Sequence, residues 1–571
     1  MLTGPIFRRE ALTAPRSFRH FAIRSGSVLA LFVLMYTADK AVLGFGAAGS
    51  LGASARFGAL LFQIFSLVEL TLSIFFGLLF AAGTVSQEKD RGTLILLLMT
   101  DLKNTELVVG KLASGLLAVA VVLVTSIPAF FLLPLLGGVT AGQIGQALAI
   151  CAAAAVAAGS WGTLVAYWRE KTFQTLAIGV IGIVAFLAIV EAIVALLGGG
   201  NAGQAVGLLN PYRAIVPVLN PFSEVGGWIA AGAVPALLGL AVVINAVTLW
   251  RLRIWNPPRH VHEIAKAIER ETTVERTASK SRDVWDAPIL WREIRTRAYG
   301  RKTAVIKAAY IALAAAAVWF LMRGDAGDTI LGSMTPGGMA FVGLAFVSLM
   351  LVNAQSVTSL TGERDARTLE LLLVTDIDAK EFVTGKLAGA LYNAKELILV
   401  PLSLAAYLAF RGEITAENAF YTGVGFLVLV AFAAMLGLHS AVTFHVSRTA
   451  IANSLGTLFF LFVGIALFLL LLVEAQSSFS LQLQSFLVFI VAGSIVLGAS
   501  LTQRNPAPAL WLSAALLPFL TFFAIASFLL GDPLAVTLAI VAAYGFTTVA
   551  MLVPAVSDFD VALGRSRGEK G

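Results

Sequence analysis

The 571-residue chain has little charge and almost no cysteine. Only 13% of its residues are charged, about half the share usual in a soluble domain, and 58% are hydrophobic. A soluble protein of this length would need far more polar surface to cover its core. The single cysteine, Cys151, excludes intrachain disulfides and argues against a metal site built on cysteine. The five histidines show no spacing typical of metal ligands.

The sequence also lacks a phosphate-binding loop. The pattern G-x-x-x-x-G-K-[ST] does not occur, since both Gly-Lys pairs, 110–111 and 385–386, continue with leucine. A Gly-x-Gly-x-x-Gly pattern at 44–49 follows an apolar stretch rather than a strand, so it does not predict nucleotide binding. We therefore predict no catalytic, cofactor-binding or metal site in this chain, which is not expected to be an enzyme.

Long apolar stretches are what the chain has in abundance. A membrane-spanning helix needs about 20 predominantly apolar residues, and such stretches recur along the whole sequence. They predict an all-α integral membrane protein with 12 to 14 spans. The stretches cover 26–46, 58–84, 108–136, 144–168, 173–197, 227–250, 304–322, 338–360, 382–410, 419–445, 450–473, 484–501, 510–530 and 534–553.

The positive charges are concentrated on one side of the predicted membrane. By the positive-inside rule, the N-terminus, the polar segment after the sixth stretch and the C-terminus then lie in the cytoplasm, and the protein lies in the inner or plasma membrane of a cell. Because the basic residues flank spans, they indicate orientation rather than nucleic-acid binding. The arginines and the apolar stretch that follows them also resemble a signal peptide. Because the opening motif returns in the middle of the chain, we expect the first span to be retained.

An internal repeat divides the chain into two modules. Residues 88–116 and 363–391 are identical at 16 of 29 positions at a constant offset of 275. Residues 5–13 match 288–296 less closely, just before the first span of each half. Six spans in the first half give both modules the same orientation. We predict a first module over 1–255, a cytoplasmic linker over 256–284, a second module over 285–505, and an extra hairpin with a cytoplasmic tail over 506–571.

The repeated segment resembles the signature of ABC-2 type transporter permeases. That signature has an acidic-basic pair, Gly-Thr, a leucine-rich run and Gly-Lys-Leu. The second copy departs from it, because arginine replaces the glycine before the threonine. The matching residues are Glu88, Lys89, Gly92, Thr93, Gly110 and Lys111 in the first copy, and Glu363, Arg364, Arg367, Thr368, Gly385 and Lys386 in the second.

The resemblance implies a fold of two helical modules of the type V exporter kind, each with about six spans. It also implies a separate ATP-binding cassette ATPase, in two copies, which would bind ATP and magnesium, and it leaves room for accessory subunits. The matching residues, together with Arg91, would then couple ATP hydrolysis to the membrane domain. The Pro-Ile-x-x-Arg-Glu element before each module resembles the interfacial helix of the family.

The residue pattern of the first copy predicts a surface helix independently of the family resemblance. The apolar run 93–99 follows a charged cluster and ends at Thr100-Asp101, residues typical of caps and turns. This pattern predicts a short helix at the membrane surface, with the charges of 88–91 exposed to a partner. The alternative is an interfacial helix that has no partner.

Ionisable residues inside predicted spans are a second group of candidates, because their desolvation is costly. They are Glu69, Glu191, Lys395 and Glu396. They either pair within the helix bundle or belong to a substrate pathway or proton relay. Three functions therefore stay open: an ABC-type export permease, an ion-coupled secondary transporter, and a membrane scaffold of the ABC type that transports nothing.

Overall fold

A computed structural model describes most of the chain. Among the described residues the secondary structure is helical, without strands, which confirms the all-α prediction. Arg367, residues 370–376, most of the linker and the C-terminal tail lie outside the described residues. The described residues are 4–13, 18–43, 51–197, 200–220, 226–257, 285–295, 303–323, 335–366, 368–369, 377–475, 479–503 and 507–562.

In the first half the described helices are α1 (Gly4–Thr13), α2 (Phe18–Val42), α3 (Leu51–Asp90), α4 (Thr93–Met99), α5 (Asn104–Leu136), α6 (Ala141–Trp168), α7 (Thr172–Leu197), α8 (Asn201–Gly207), α9 (Pro211–Leu219) and α10 (Gly226–Trp255).

In the second half the described helices are α11 (Pro288–Arg295), α12 (Thr303–Arg323), α13 (Pro336–Asp365), α14 (Ala379–Asn393), α15 (Lys395–Phe410), α16 (Ala416–Thr443), α17 (Ser447–Ala475), α18 (Phe479–Leu501), α19 (Pro508–Leu529), α20 (Pro533–Ile540) and α21 (Phe546–Ala562). Five π-helical residues, Val541–Gly545, join the last two into one span.

Each predicted apolar stretch overlaps one or more of the described helices. Twelve of the described helices are long and apolar enough to cross a membrane. The pair α14–α15 passes the same test as one span bent by 54°, and α12 has a shorter apolar part, Ala304–Trp319. The chain is therefore a multi-pass membrane protein. Within α15, Pro401 cannot donate to the Leu397 carbonyl, and the Ser348 hydroxyl donates to that carbonyl instead, at 2.8 Å.

The repeat extends well beyond the matching sequence. α6 begins at 141 and α16 at 416, while α7 begins at 172 and α17 at 447, so both pairs keep the offset of 275. The caps repeat as well: Thr140 accepts a hydrogen bond from the Gln143 amide, and Thr415 accepts one from the Asn418 amide. Both halves thus build their second to fifth spans on one plan.

The two halves pack against each other through equivalent helices. α7 of the first half packs on α12 and α13 of the second, and α17 of the second packs on α2 and α3 of the first. At this interface the rings of Phe75 and Phe459 stack with centroids 3.9 Å apart. Such reciprocal contacts are those of a two-fold interface, here formed within one chain.

The last three spans of the second half do not pack in the order in which they follow one another along the chain. In the first half α10 packs along α6, and in the second half α20 and α21 pack along α16, the equivalent of α6. The hairpin α18–α19 instead reaches the first half, where α18 packs on α2 and the Ser485 hydroxyl donates to the Lys40 carbonyl at 3.1 Å. By packing, α18 belongs with α19, whereas the boundary at 505–506 stays a sequence prediction.

Candidate functional site at the ends of the second and third spans

The repeated segment of the first half joins α3 to α5 through α4. Arg91 and Gly92 form the turn after α3, and Gly92 adopts a left-handed φ of 71°. Glycine suits this position because a side chain would be strained there. α4 covers Thr93–Met99, which confirms the short helix predicted for 93–99. The placement of the Arg367 turn in the second half lies outside the described residues.

A charge cluster, which we call the first clamp, holds this segment together. The Lys111 ammonium group donates to Glu88 Oε1 at 2.8 Å, and the Thr93 hydroxyl donates to the other carboxylate oxygen. Lys111 is buried, at 7% exposure, and the preceding Gly110 is buried beside it. Since the three side chains come from the end of α3, the start of α4 and the start of α5, the clamp fixes the three helices to one another.

Lys89 and Asp90 connect the same end of α3 to α6 and α7. The Lys89 ammonium group donates to the carbonyls of Tyr167 and Arg169, the latter at 2.9 Å, where α6 ends. A cation is favourable at such a helix C-terminus. The Thr172 hydroxyl donates to the Asp90 carboxylate at the start of α7. Burial lowers the pKa of the Arg169 guanidinium from its ordinary value, against the opposing effect of Glu170.

These contacts correct one expectation. The charges of 88–91 were expected to face a partner, but Glu88, Lys89 and Asp90 are partly buried and bond within the chain, and only Arg91 is exposed. The physical reason is that charges at a helix end are stabilised by neighbouring helix ends and by counter-charges close at hand. The assignment of these residues to ATPase coupling stays a prediction.

The second half has an equivalent but larger cluster, the second clamp. The Lys386 ammonium group lies 2.7 Å from Glu363 Oε1 and 2.6 Å from Glu293 Oε1. Arg292 pairs with the same Glu363 oxygen. Lys386 and Glu293 are 1% and 2% exposed. The second clamp therefore adds α11, which carries Arg292 and Glu293, to the ends of α13 and α14.

Other residues of the second copy repeat the contacts of the first. The Arg364 guanidinium donates to the Ala441 carbonyl at 3.0 Å near the end of α16, as Lys89 does at α6. The Thr368 hydroxyl donates to the Glu363 carbonyl at 3.1 Å. Gly385 leaves room for Ile289 of α11, since a Cβ there would lie 3.1 Å from the Ile289 side chain.

The sequence did not identify Glu293 as a clamp residue. Its signal was the Arg-Glu pair that occurs at 9–10 and again at 292–293, which we assigned only to an interfacial helix. In the first half Arg9 pairs with the adjacent Glu10 at 3.1 Å on an exposed surface. The two halves thus use the same motif with different degrees of burial.

α4 presents apolar side chains at the surface beside the first clamp. Leu94 is 2% exposed and packs inward, whereas Leu96 and Met99 are 63% and 74% exposed. Exposed apolar residues on a rigid segment are typical of a contact with a membrane surface or another protein. The residues that correspond to Leu96 and Met99 lie in 370–376, outside the described residues.

The ionisable residues within the spans do not form one site. Glu191 pairs with Arg213 at 3.1 Å and accepts from Asn210 at 2.7 Å near the end of α7. Glu396 pairs with Lys307 at 2.6 Å. Lys395 is exposed and lies over the Tyr392 ring, 4.4 Å from its centroid.

Glu69 is the most buried of these residues, at 2% exposure in α3. Its Oε1 has no hydrogen-bond partner among the described residues, and the hydroxyl of Ser126 in α5 donates to the Leu123 carbonyl at 2.9 Å. Within the same residues, no group of three or more His, Cys, Asp or Glu side chains is placed to hold a metal ion.

Comparisons with protein-family models, with curated proteins and with solved structures found no match for this chain.

Proposed function

We propose that the chain is the membrane permease of an ATP-driven exporter of the ABC-2 kind, with ATP hydrolysed by a separate subunit. The observation that carries the proposal is the repeated clamp: a Glu–Lys pair that joins the second and third spans at the same membrane side in both halves. Such a clamp makes the connection between the spans rigid, so that a push on α4 would displace α3 and α5 together.

The number of partners follows from the internal two-fold arrangement. Each half carries one clamp and one coupling segment, so one chain would recruit two ATPase subunits from the cytoplasm. ATP and magnesium would be bound by those subunits rather than by this chain. Each complex in the cell membrane would then contain a single copy of this chain.

The experiment is to purify the tagged chain from its native membrane and to measure the mass of the intact complex by native mass spectrometry. We expect two copies of one nucleotide-binding ATPase per chain. Met99→Glu, in the exposed face of α4, should lower this number towards one, because the second half keeps its own segment. A charge buried against a partner typically weakens binding roughly tenfold or more.

Phe410→Glu is the matched control, because Phe410 is 91% exposed at the opposite end of the third span of the second half. It should leave the ATPase content unchanged. Complexes with two permease chains, or an unchanged ATPase content in Met99→Glu, would contradict the proposal.

A second candidate, an ion-coupled transporter, is favoured by Glu69. A carboxylate so buried within a span, with one oxygen unpartnered among the described residues, has the character of an intramembrane proton-binding group. Recovery of the chain without an ATPase, together with uptake or efflux driven by a proton gradient in vesicles, would favour this candidate.

A further inference from the structure

The first half contains an apolar cavity of about 260 Å³ within its membrane-spanning part. α3 and α6 form its floor, and α7 and α10 form its sides. Within the described residues α7 and α10 have no extended contact with each other, although both pack on α6. The cavity is thus the inner part of a cleft that is partly open between two spans.

Small residues of α6 and α7 create this space. Ala154, Ala157 and Ala158 line the floor, and Gly182 leaves room for the Trp161 ring. All the lining residues are apolar. Apolar cavities of this kind stay free of water and accept apolar ligands, so a polar substrate or an ion does not fit.

The second half shows what this place in the fold accepts. At the offset of 275, Ala154 and Ala157 correspond to Leu429 and Phe432. The space between α17 and α20, equivalent to that between α7 and α10, contains α19, which packs on both of them. The chain itself thus occupies part of the equivalent cleft with an apolar helix and with larger side chains, and leaves a smaller apolar cavity of about 190 Å³ beside Leu429.

Among the described residues of the first half no helix takes this place, and the cleft is closed at one end. α9 packs on α6 and α10 there, and Leu209 and Pro211 line the cavity at that end. A transmembrane helix is about 10 Å wide with its side chains, and α9 stands in the way of a full-length one. A flexible hydrocarbon chain is thin enough to enter between α7 and α10 from the bilayer.

We propose that this cleft of the first half binds one acyl chain of a bilayer lipid. The acyl chain takes, in the first half, the place that α19 occupies in the second.

The test uses the full chain in nanodiscs that contain a phospholipid with a diazirine in one acyl chain. After illumination, adducts are mapped by mass spectrometry. The readout is the labelling of Ile183 and Leu240, which line the cleft, relative to Val242 and Val243, which are 68% and 61% exposed on the outer face of α10. We expect Ile183 and Leu240 to be labelled more strongly, relative to Val242 and Val243, than their smaller exposed fractions would give.

Ala157→Phe introduces the residue of the second half and should lower that ratio about tenfold, because it removes the space for several methylene groups. Ala152→Phe makes the same change on an exposed position of α6 and should leave the ratio unchanged. If Ala157→Phe does not fold, Ala154→Leu provides a smaller change in the same floor. An unchanged ratio in both cleft variants, or a stoichiometric protein bound in the cleft instead of lipid, would overturn the proposal.

Discussion

At the scale of single residues, the two clamp lysines have different surroundings. Lys386 is almost completely buried between two carboxylates, those of Glu293 and Glu363. Lys111 meets a single carboxylate, Glu88, whose side chain is 27% exposed. Removing one partner of a buried ion pair leaves an uncompensated charge, and the cost grows with burial. Equivalent positions therefore differ in what they contribute to stability.

We predict that Lys386→Met destabilises the protein by about 3–5 kcal/mol, because two carboxylates lose their buried counter-ion. Lys111→Met should cost about 1–3 kcal/mol. Thermal unfolding in detergent, with both variants at equal expression, measures the difference. The double variant Glu293→Gln/Lys386→Met should recover part of the loss, since one of the unpaired charges is then removed. Equal losses for the two single variants would show that the clamps do not differ in this way.

At the scale of elements, glycines set how closely the second and fourth spans pack. A Cβ at Gly162 of α6 would lie 2.8 Å from the Leu78 carbonyl oxygen, and one at Gly437 of α16 would lie 2.7 Å from the Asn353 carbonyl oxygen. Both pairs keep the offset of 275. Since the clashing atoms are backbone, neither helix can relieve the contact by moving a side chain. Small residues at such crossings are typical of membrane helix packing.

Gly437→Ala should therefore destabilise the protein by about 1–3 kcal/mol through overpacking. Gly425→Ala, on the same helix, is the matched control, because its Cβ would meet Ile540 at an ordinary 3.7 Å. That control should be neutral or stabilising, as alanine is the better helix former. Melting temperatures of the two variants decide the matter. A control that unfolds as early as Gly437→Ala would mean that the helix–helix distance does not depend on this contact.

Elements also show what a sequence can predict. Long spans were predicted because each needs only a run of apolar residues, and α4 because polar caps bound its short apolar run. α8 and α9 were missed, although Asn210 and Pro211 are a helix-start signal for α9. The bend between α14 and α15 and the partners of Lys386 were missed as well. They depend on which helices meet in space, as when Glu293 reaches a lysine 93 residues away.

At the scale of the whole molecule, the reciprocal packing of α7 and α17 makes one chain equivalent to a dimer of modules. The arrangement requires both clamps to lie on the same side of the membrane. The chain offers a convenient background for testing this, because its one cysteine, Cys151, is buried at 1% exposure.

Cysteines introduced one at a time at two exposed positions should react with a labelling reagent from opposite sides of the membrane. We expect Arg91→Cys to react with a membrane-impermeant maleimide only in inside-out vesicles, and Phe410→Cys only in intact cells, because an odd number of predicted spans, seven, lies between the two positions. The unchanged chain should give almost no labelling. Labelling of both variants from one side would overturn the topology, and the proposed access of an ATPase to α4 would fall with it.

Joining the two modules in one polypeptide has a genetic consequence. In an assembly of two identical chains, every substitution appears twice, so a change that suits one copy must also be tolerated by the other. Here a mutation alters one module alone. Arg292 and Glu293 could enter a buried network while Arg9 and Glu10 stayed at an exposed surface. Covalent linkage thus frees the halves to diverge, and unequal halves can bind unlike neighbours.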